Sequence, residues 1–235
     1  MKKNTLPAAV AALCTLSGFF CIVLRRWLLN TGVDQKGLLV KGHPGDLISW
    51  GIVIICLGAL CALTLYYKPQ CHFNSEKAYG GVPQVCALAS VSGLLGFGNG
   101  LAAVTTIVAF AVAVCCVVQQ MLQICKKEIP TLLHCVPVIF YLLFLLCRYQ
   151  SWSREPQLQL SVFSLLALVC LTVTAYQRAA FSAGLGNSKV YFFFSNASLL
   201  LCLAAVVGSD MPLFFSLMAI ATLFDGCSLA SEEEA

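Results

Sequence analysis

The longest uncharged stretch of this sequence lies between Lys77 and Lys126, and it decides what the chain can fold into. It runs for about 48 residues without Asp, Glu, Lys or Arg, roughly twice the ~20 residues that cross a hydrocarbon core. A single helix of that length would be roughly 70 Å long against a core of ~30 Å, so the stretch has to fold back on itself. Because a soluble protein cannot cover so long an apolar surface, the stretch predicts a membrane protein.

Apolar runs of similar character recur along the rest of the chain and predict an all-α, polytopic transmembrane helix bundle built as a single integral membrane domain. Only 10% of the 235 residues are charged, and the mean hydropathy is +0.88, whereas soluble domains are roughly 25% charged. Barrel strands are rejected because they alternate polar with apolar residues, and these runs are apolar throughout. About eight spans are predicted, at 6–25, 47–67, 83–98, 101–124, 131–147, 158–178, 190–208 and 211–227, followed by a short acidic tail at 228–235.

A glycine-rich break divides the long stretch. Gly96, Gly98, Asn99 and Gly100 are predicted to serve a turn or close helix packing, because glycine accepts positive φ and lets backbones approach. A phosphate-binding loop of similar appearance would need a βαβ unit, which this chain does not supply. In the alternative topology the segment 82–97 re-enters the membrane on one side, which leaves seven spans.

Orientation follows from the cations beside the apolar runs. Arg25, Arg26 and Trp27 close the first run where a signal peptide would carry a small-residue cleavage site, so this run is retained as a span. The Lys and Arg side chains are interpreted as interfacial anchors, and no nucleic-acid partner is expected despite the net charge of +4. A slight excess of cations in alternate connectors predicts both termini in the cytoplasm, and the compact connectors fit a bacterial cytoplasmic membrane.

Residues for catalysis, metal binding or ion coupling are hard to find in this sequence. Most of the 14 cysteines lie inside apolar runs without a C-x-x-C pair, where they are packing residues. No paired histidines, hydrolase motif or cluster of charges deep in a span is present, which argues against a proton- or sodium-driven pump. We therefore predict no catalytic residue, no metal and no cofactor.

Candidate ligand-binding residues lie mainly in two polar connectors. Two arginines and a carboxylate beside a Trp are able to hold an anion or a lipid headgroup, although Trp and Arg also act as plain interfacial anchors. Asparagine inside a span needs a hydrogen-bonding partner, either from a ligand or from another helix. The candidates are Arg148, Trp152, Arg154, Glu155, Arg178, Asn187 and Asn196.

Three functions remain compatible with these features. The first is a non-enzymatic protein in the lipid bilayer that binds a small neutral or lipid-like ligand or serves as the membrane subunit of a permease. The second is a structural or signalling protein that docks a partner membrane or cytoplasmic protein. The third, an intramembrane enzyme that modifies lipid, has the least support because the spans carry no visible catalytic group.

Overall fold

Helices make up all the regular secondary structure that the computed structural model describes, namely within residues 5–32, 43–66, 84–89, 101–125, 130–152 and 158–230. The predicted all-α bundle is therefore confirmed. The helices are α1 (Thr5–Thr31), α2 (Pro44–Tyr66), α3 (84–89), α4 (Leu101–Ile124), α5 (Thr131–Trp152), α6 (Leu158–Ser182), α7 (Ser188–Val206) and α8 (Pro212–Ala230).

Six of the described helices are long and apolar enough to cross a membrane, and they identify the chain as an integral membrane protein. The six candidate spans are Pro7–Thr31, Pro44–Tyr66, Ala103–Leu122, Thr131–Gln150, Ser161–Ser182 and Ser188–Val206, and α8 adds a shorter apolar part, Pro212–Phe224. Of the predicted span 83–98 the structure describes 84–89. Gly96, Gly98, Asn99 and Gly100 lie outside the described residues.

The first helix is longer than the sequence predicts. It continues past residue 25 to Thr31 instead of ending at the arginine pair. Arg25 is tolerated inside the helix because its Nε donates to the carbonyl oxygen of Val207 at 3.0 Å and its guanidinium lies 4.7 Å from the centre of the Phe163 ring. Its side chain is thus a buried packing element, only 2% exposed, and not the interfacial anchor that the sequence predicts.

Contacts between helix ends fix the direction of each helix. We call the end of the bundle where α1 begins the near end and the opposite end the far end. At the far end His43, just before α2, stacks edge-on against Trp27 and lies 3.3 Å from the Thr31 hydroxyl. Since Arg25 reaches Val207, the C-cap of α7, α1 and α7 run in parallel toward the far end, whereas α2 runs back.

The fourth and fifth helices form a second antiparallel hairpin. The Gln119 side chain, near the end of α4, donates through Nε2 to the carbonyl oxygen of Leu133, near the start of α5, at 2.7 Å. Arg148, near the end of α5, pairs with Asp210 just after α7, so α5 runs toward the far end and α4 runs toward the near end, as α2 does. Therefore α2 ends at the near end, and α4 begins at the far end.

The centre of the bundle is α7. It packs against α1, α2, α6 and α8, and its side chains from Ser195 to Ala205 are buried. A Cβ added to Gly18 of α1 would lie 2.6 Å from Leu203 Cδ1 and 2.7 Å from its Cβ, so only glycine lets the two helices approach this closely.

Candidate functional site

A cleft with polar side chains in its lining opens toward each end of the described bundle. The near cleft lies between α3, α5, α6 and α8, and its cavity of about 20 Å³ has room for one or two water molecules. Its polar lining consists of Gln84, Tyr141, Thr174, Arg178 and Thr222, and the rest is apolar side chains of α6 and α8. The far cleft is smaller, about 10 Å³, and lies between α5, α6 and the connector of α7 and α8.

Arg178 brings a positive charge to the near cleft. It lies on α6 close to the near end, and it lines the cleft together with Tyr141 of α5. Of the residues that line this cleft in the described structure, none is acidic. The described lining of the cleft therefore combines one cation with neutral polar and apolar side chains.

The threonine hydroxyls in the near cleft present acceptors rather than donors. Thr174 donates its proton to the carbonyl oxygen of Cys170 at 2.8 Å, and Thr222 donates to a carbonyl of the preceding turn, with Met218 and Ala219 both at 3.0 Å. Bonds of this kind to the preceding helical turn leave only the oxygen lone pairs for a further partner.

A phenol and an amide complete the near cleft. Tyr141 is 1% exposed, its hydroxyl lies 3.6 Å from the sulfur of Met218, and the Gln84 side chain hydrogen-bonds to it. A thioether is a weak acceptor, so Tyr141 is held mainly by Gln84. Gln84 is half-buried, and its amide has both donor and acceptor atoms.

Charges at the far cleft neutralise each other within the protein. Arg148 of α5 donates through Nη1 to Asp210 Oδ2 at 3.3 Å and lies 5.8 Å from the Phe144 ring centre. The Arg148 side chain is 11% exposed and that of Asp210 59% exposed. Together with the bond from Arg25 to Val207, this ion pair anchors both ends of the connector between α7 and α8. The polar groups of the far cleft thus stabilise the connector between α7 and α8.

The structure separates the candidate ligand-binding residues instead of bringing them together. Arg148 lies at the far end and Arg178 near the other end of the antiparallel α5–α6 pair, so the two arginines cannot share one ligand. Trp152 is the last residue of α5; its side chain, together with Arg154 and Glu155, lies outside the described residues.

The two asparagines have local partners. Asn187 is the N-cap of α7, where its Oδ1 accepts from the backbone N–H of Lys189 at 3.1 Å and of Val190 at 3.4 Å. Asn196 is buried in α7 and donates through Nδ2 to the carbonyl oxygen of Phe192 at 2.9 Å. These three bonds account for the two amides without a ligand.

The sequence did not point to Gln84, Tyr141 or Thr222 as members of a site. Each is an isolated polar residue in an apolar helix, and only the packing of α3, α5 and α8 places them around Arg178. The available signal was the hydrogen-bonding need of a polar side chain inside a span, which Tyr, Gln and Thr share with the asparagine considered above.

Within the described ranges, no three His, Cys, Asp or Glu residues lie close enough together to hold a metal ion. No protein family model, curated protein or solved structure matches the chain.

Proposed function

We propose that this membrane protein is a non-enzymatic binder of a lipid-like ligand and that the near cleft holds the ligand's polar head. The observation that carries the proposal is the convergence of five polar side chains from four helices on one open cleft. Polar groups inside a helix bundle are costly unless they have partners, and those that face a cavity commonly mark a ligand site.

The size of the near cleft favours a lipid-like ligand over a larger soluble one. At about 20 Å³, it is far smaller than the roughly 300–1,000 Å³ typical of sites that enclose a whole small molecule. A lipid needs less enclosed space, because only a small polar group of its head enters the cleft and its chains remain in the bilayer beside the helices. Met218, Leu171 and Ala221 supply the apolar wall that the upper part of such a ligand requires.

The proposal is tested by the thermal stability of the purified protein in neutral detergent with a panel of lipids and lipid-like molecules. A ligand that binds only the folded state stabilises it by RT ln(1 + [L]/Kd), about 2.7 kcal/mol at a hundredfold excess over Kd. For a chain of this size that raises Tm by about 5–10 °C.

Variants show whether the stabilisation arises at the near cleft. Gln84→Leu should reduce the ligand-induced rise in Tm, whereas Gln120→Leu, a matched change on α4 away from the cleft lining, should leave it intact. If no lipid raises Tm, or both variants respond like the wild type, the proposed function is wrong. A protein that co-purifies in mild detergent under those conditions would favour the partner-docking alternative.

A further inference from the structure

We propose that the polar group that enters the near cleft is a single uncharged hydroxyl, so that the ligand is a lipid alcohol. This inference rests on the proposed function and names the chemical class of its ligand. The hydroxyl takes the position of one of the water molecules for which the cavity has room, and the carbon chain of the lipid stays outside the cleft.

The size of the near cleft limits the group that can enter it. Its cavity of about 20 Å³ is only slightly larger than the roughly 10–15 Å³ that one water molecule needs. A hydroxyl is as small as water, whereas a carboxylate or a phosphate carries several oxygens around a central atom. The cavity therefore admits a hydroxyl or an amine and excludes the larger polar groups of lipids.

The hydroxyl groups that line the near cleft act as acceptors, because their own protons are engaged within the protein. Thr174 donates to the carbonyl oxygen of Cys170 at 2.8 Å, and Thr222 donates to a carbonyl of its own helix. Tyr141 directs its proton at the Met218 sulfur at 3.6 Å. The oxygens of both threonines keep lone pairs for a further partner, so the group that enters has to bring a proton donor.

An uncharged donor suits the near cleft better than an ammonium group. The described lining carries no acidic side chain to pair with an ammonium group, and burying a charge without a counter-charge is costly. A hydroxyl has one proton to donate to a threonine, and its oxygen can accept from the amide N–H of Gln84. A hydroxyl can therefore use both its donor and its acceptor here without burying a charge.

The test compares probes that share one oleyl chain and differ only in the polar group: oleyl alcohol, its methyl ether, oleate and oleylamine. Dissociation constants are measured from the concentration dependence of Tm at neutral pH in an amine-oxide detergent, which has no hydroxyl group to compete. Oleyl alcohol should bind about three- to tenfold more tightly than the ether, because this is the effect of one neutral hydrogen bond on affinity. Oleate and oleylamine should also bind more weakly than the alcohol, the first because of its size and the second because of its charge.

Variants show whether the threonines cause this preference. Thr174→Val and Thr222→Val together remove both acceptors with little change of shape, and they should abolish the preference for the alcohol over the ether. Thr174→Ser and Thr222→Ser together keep both hydroxyls and should retain it. Thr172→Val is the matched control, because Thr172 makes the same kind of bond, to the carbonyl oxygen of Leu168 at 2.7 Å, but does not line the near cleft. This control should bind the probes like the wild type.

The outcomes separate this inference from the proposed function. A preference for the alcohol that the valine variant loses and the serine variant keeps supports the inference. Equal affinity for the alcohol and the ether, tighter binding of oleate or oleylamine, or an unchanged preference in the valine variant overturns the inference and leaves lipid binding in place. If none of the probes raises Tm, the inference fails, and the proposed function fails with it unless another lipid of the panel binds.

Discussion

Replacing Gln119 with Leu should loosen α4 from α5, because the Gln119 amide supplies a hydrogen bond that Pro137 withholds. In a regular helix the N–H of residue 137 would donate to the carbonyl oxygen of Leu133, but proline has no N–H. Gln119 of the neighbouring helix takes the place of that donor at 2.7 Å, so one side chain both satisfies the carbonyl and joins the two helices.

The size of the loss follows from the membrane setting. Hydrogen bonds between membrane helices contribute about 0.6 kcal/mol on average and at most about 1.7. Without Gln119, the carbonyl oxygen of Leu133 has no donor from its own helix. We therefore expect Gln119→Leu to lower the free energy of unfolding by about 1–1.5 kcal/mol, in the upper part of this range. That corresponds to a fall in Tm of about 2–6 °C for a chain of this size.

A double-mutant cycle measured by unfolding in detergent isolates the effect. Pro137→Ala returns the backbone N–H to Leu133, and in that background Gln119→Leu should cost less than about 0.5 kcal/mol. Gln120→Leu, the same chemical change one residue along, serves as the control. An equal loss from Gln119→Leu with and without Pro137 would refute the assignment, since the amide would then act independently of the missing donor.

Other predictions concern buried contacts and topology. Arg25→Leu removes a buried hydrogen bond and a cation–π contact, so it should lower the free energy of unfolding by about 2 kcal/mol. The control Arg26→Leu should lower it by less than about 0.5 kcal/mol. A smaller difference between the two variants would show that the burial of Arg25 brings no net stability. Gly18→Ala should cost about 1–3 kcal/mol by forcing α1 from α7, whereas Gly51→Ala, with open space around the added carbon, should be neutral or stabilising. The topology is tested by labelling single cysteines, Asn99→Cys and Arg26→Cys, in a background without native cysteines. Both should react with an impermeant maleimide from the same side of the membrane, because α1 ends and α4 begins at the far end. Labelling from opposite sides would support the seven-span topology.

Much of the architecture is accessible from sequence because lipid imposes one dominant rule. An apolar run without charges must satisfy its backbone internally, which makes it helical wherever it crosses the bilayer. The same rule misleads at Arg25, where a cation marks the end of an apolar run but finds a carbonyl and an aromatic ring inside the bundle. Tertiary partners of this kind are invisible in a one-dimensional pattern.

The candidate site is predictable only in part for the same reason. Arg178 stands out in the sequence as a polar residue at a span end, but its neighbours Gln84 and Thr222 are 94 and 44 residues away along the chain. Their proximity depends on how α3 and α8 pack against α6. Asn187 and Asn196 illustrate the opposite case, since local hydrogen bonds to their own helix account for residues whose chemistry suggested a ligand.

The burial of α7 has a consequence for biogenesis. Translation produces the central helix after α1, α2 and α6, so these earlier segments must wait in the bilayer with their inner faces against lipid until α7 arrives. Ser195, Asn196 and Ser198 are buried in α7, so its docking also removes these polar side chains from contact with lipid. A nascent chain halted before Ser188 should therefore be degraded rapidly in cells, and one halted after Ala230 should persist; equal lifetimes would show that the outer helices assemble without their centre.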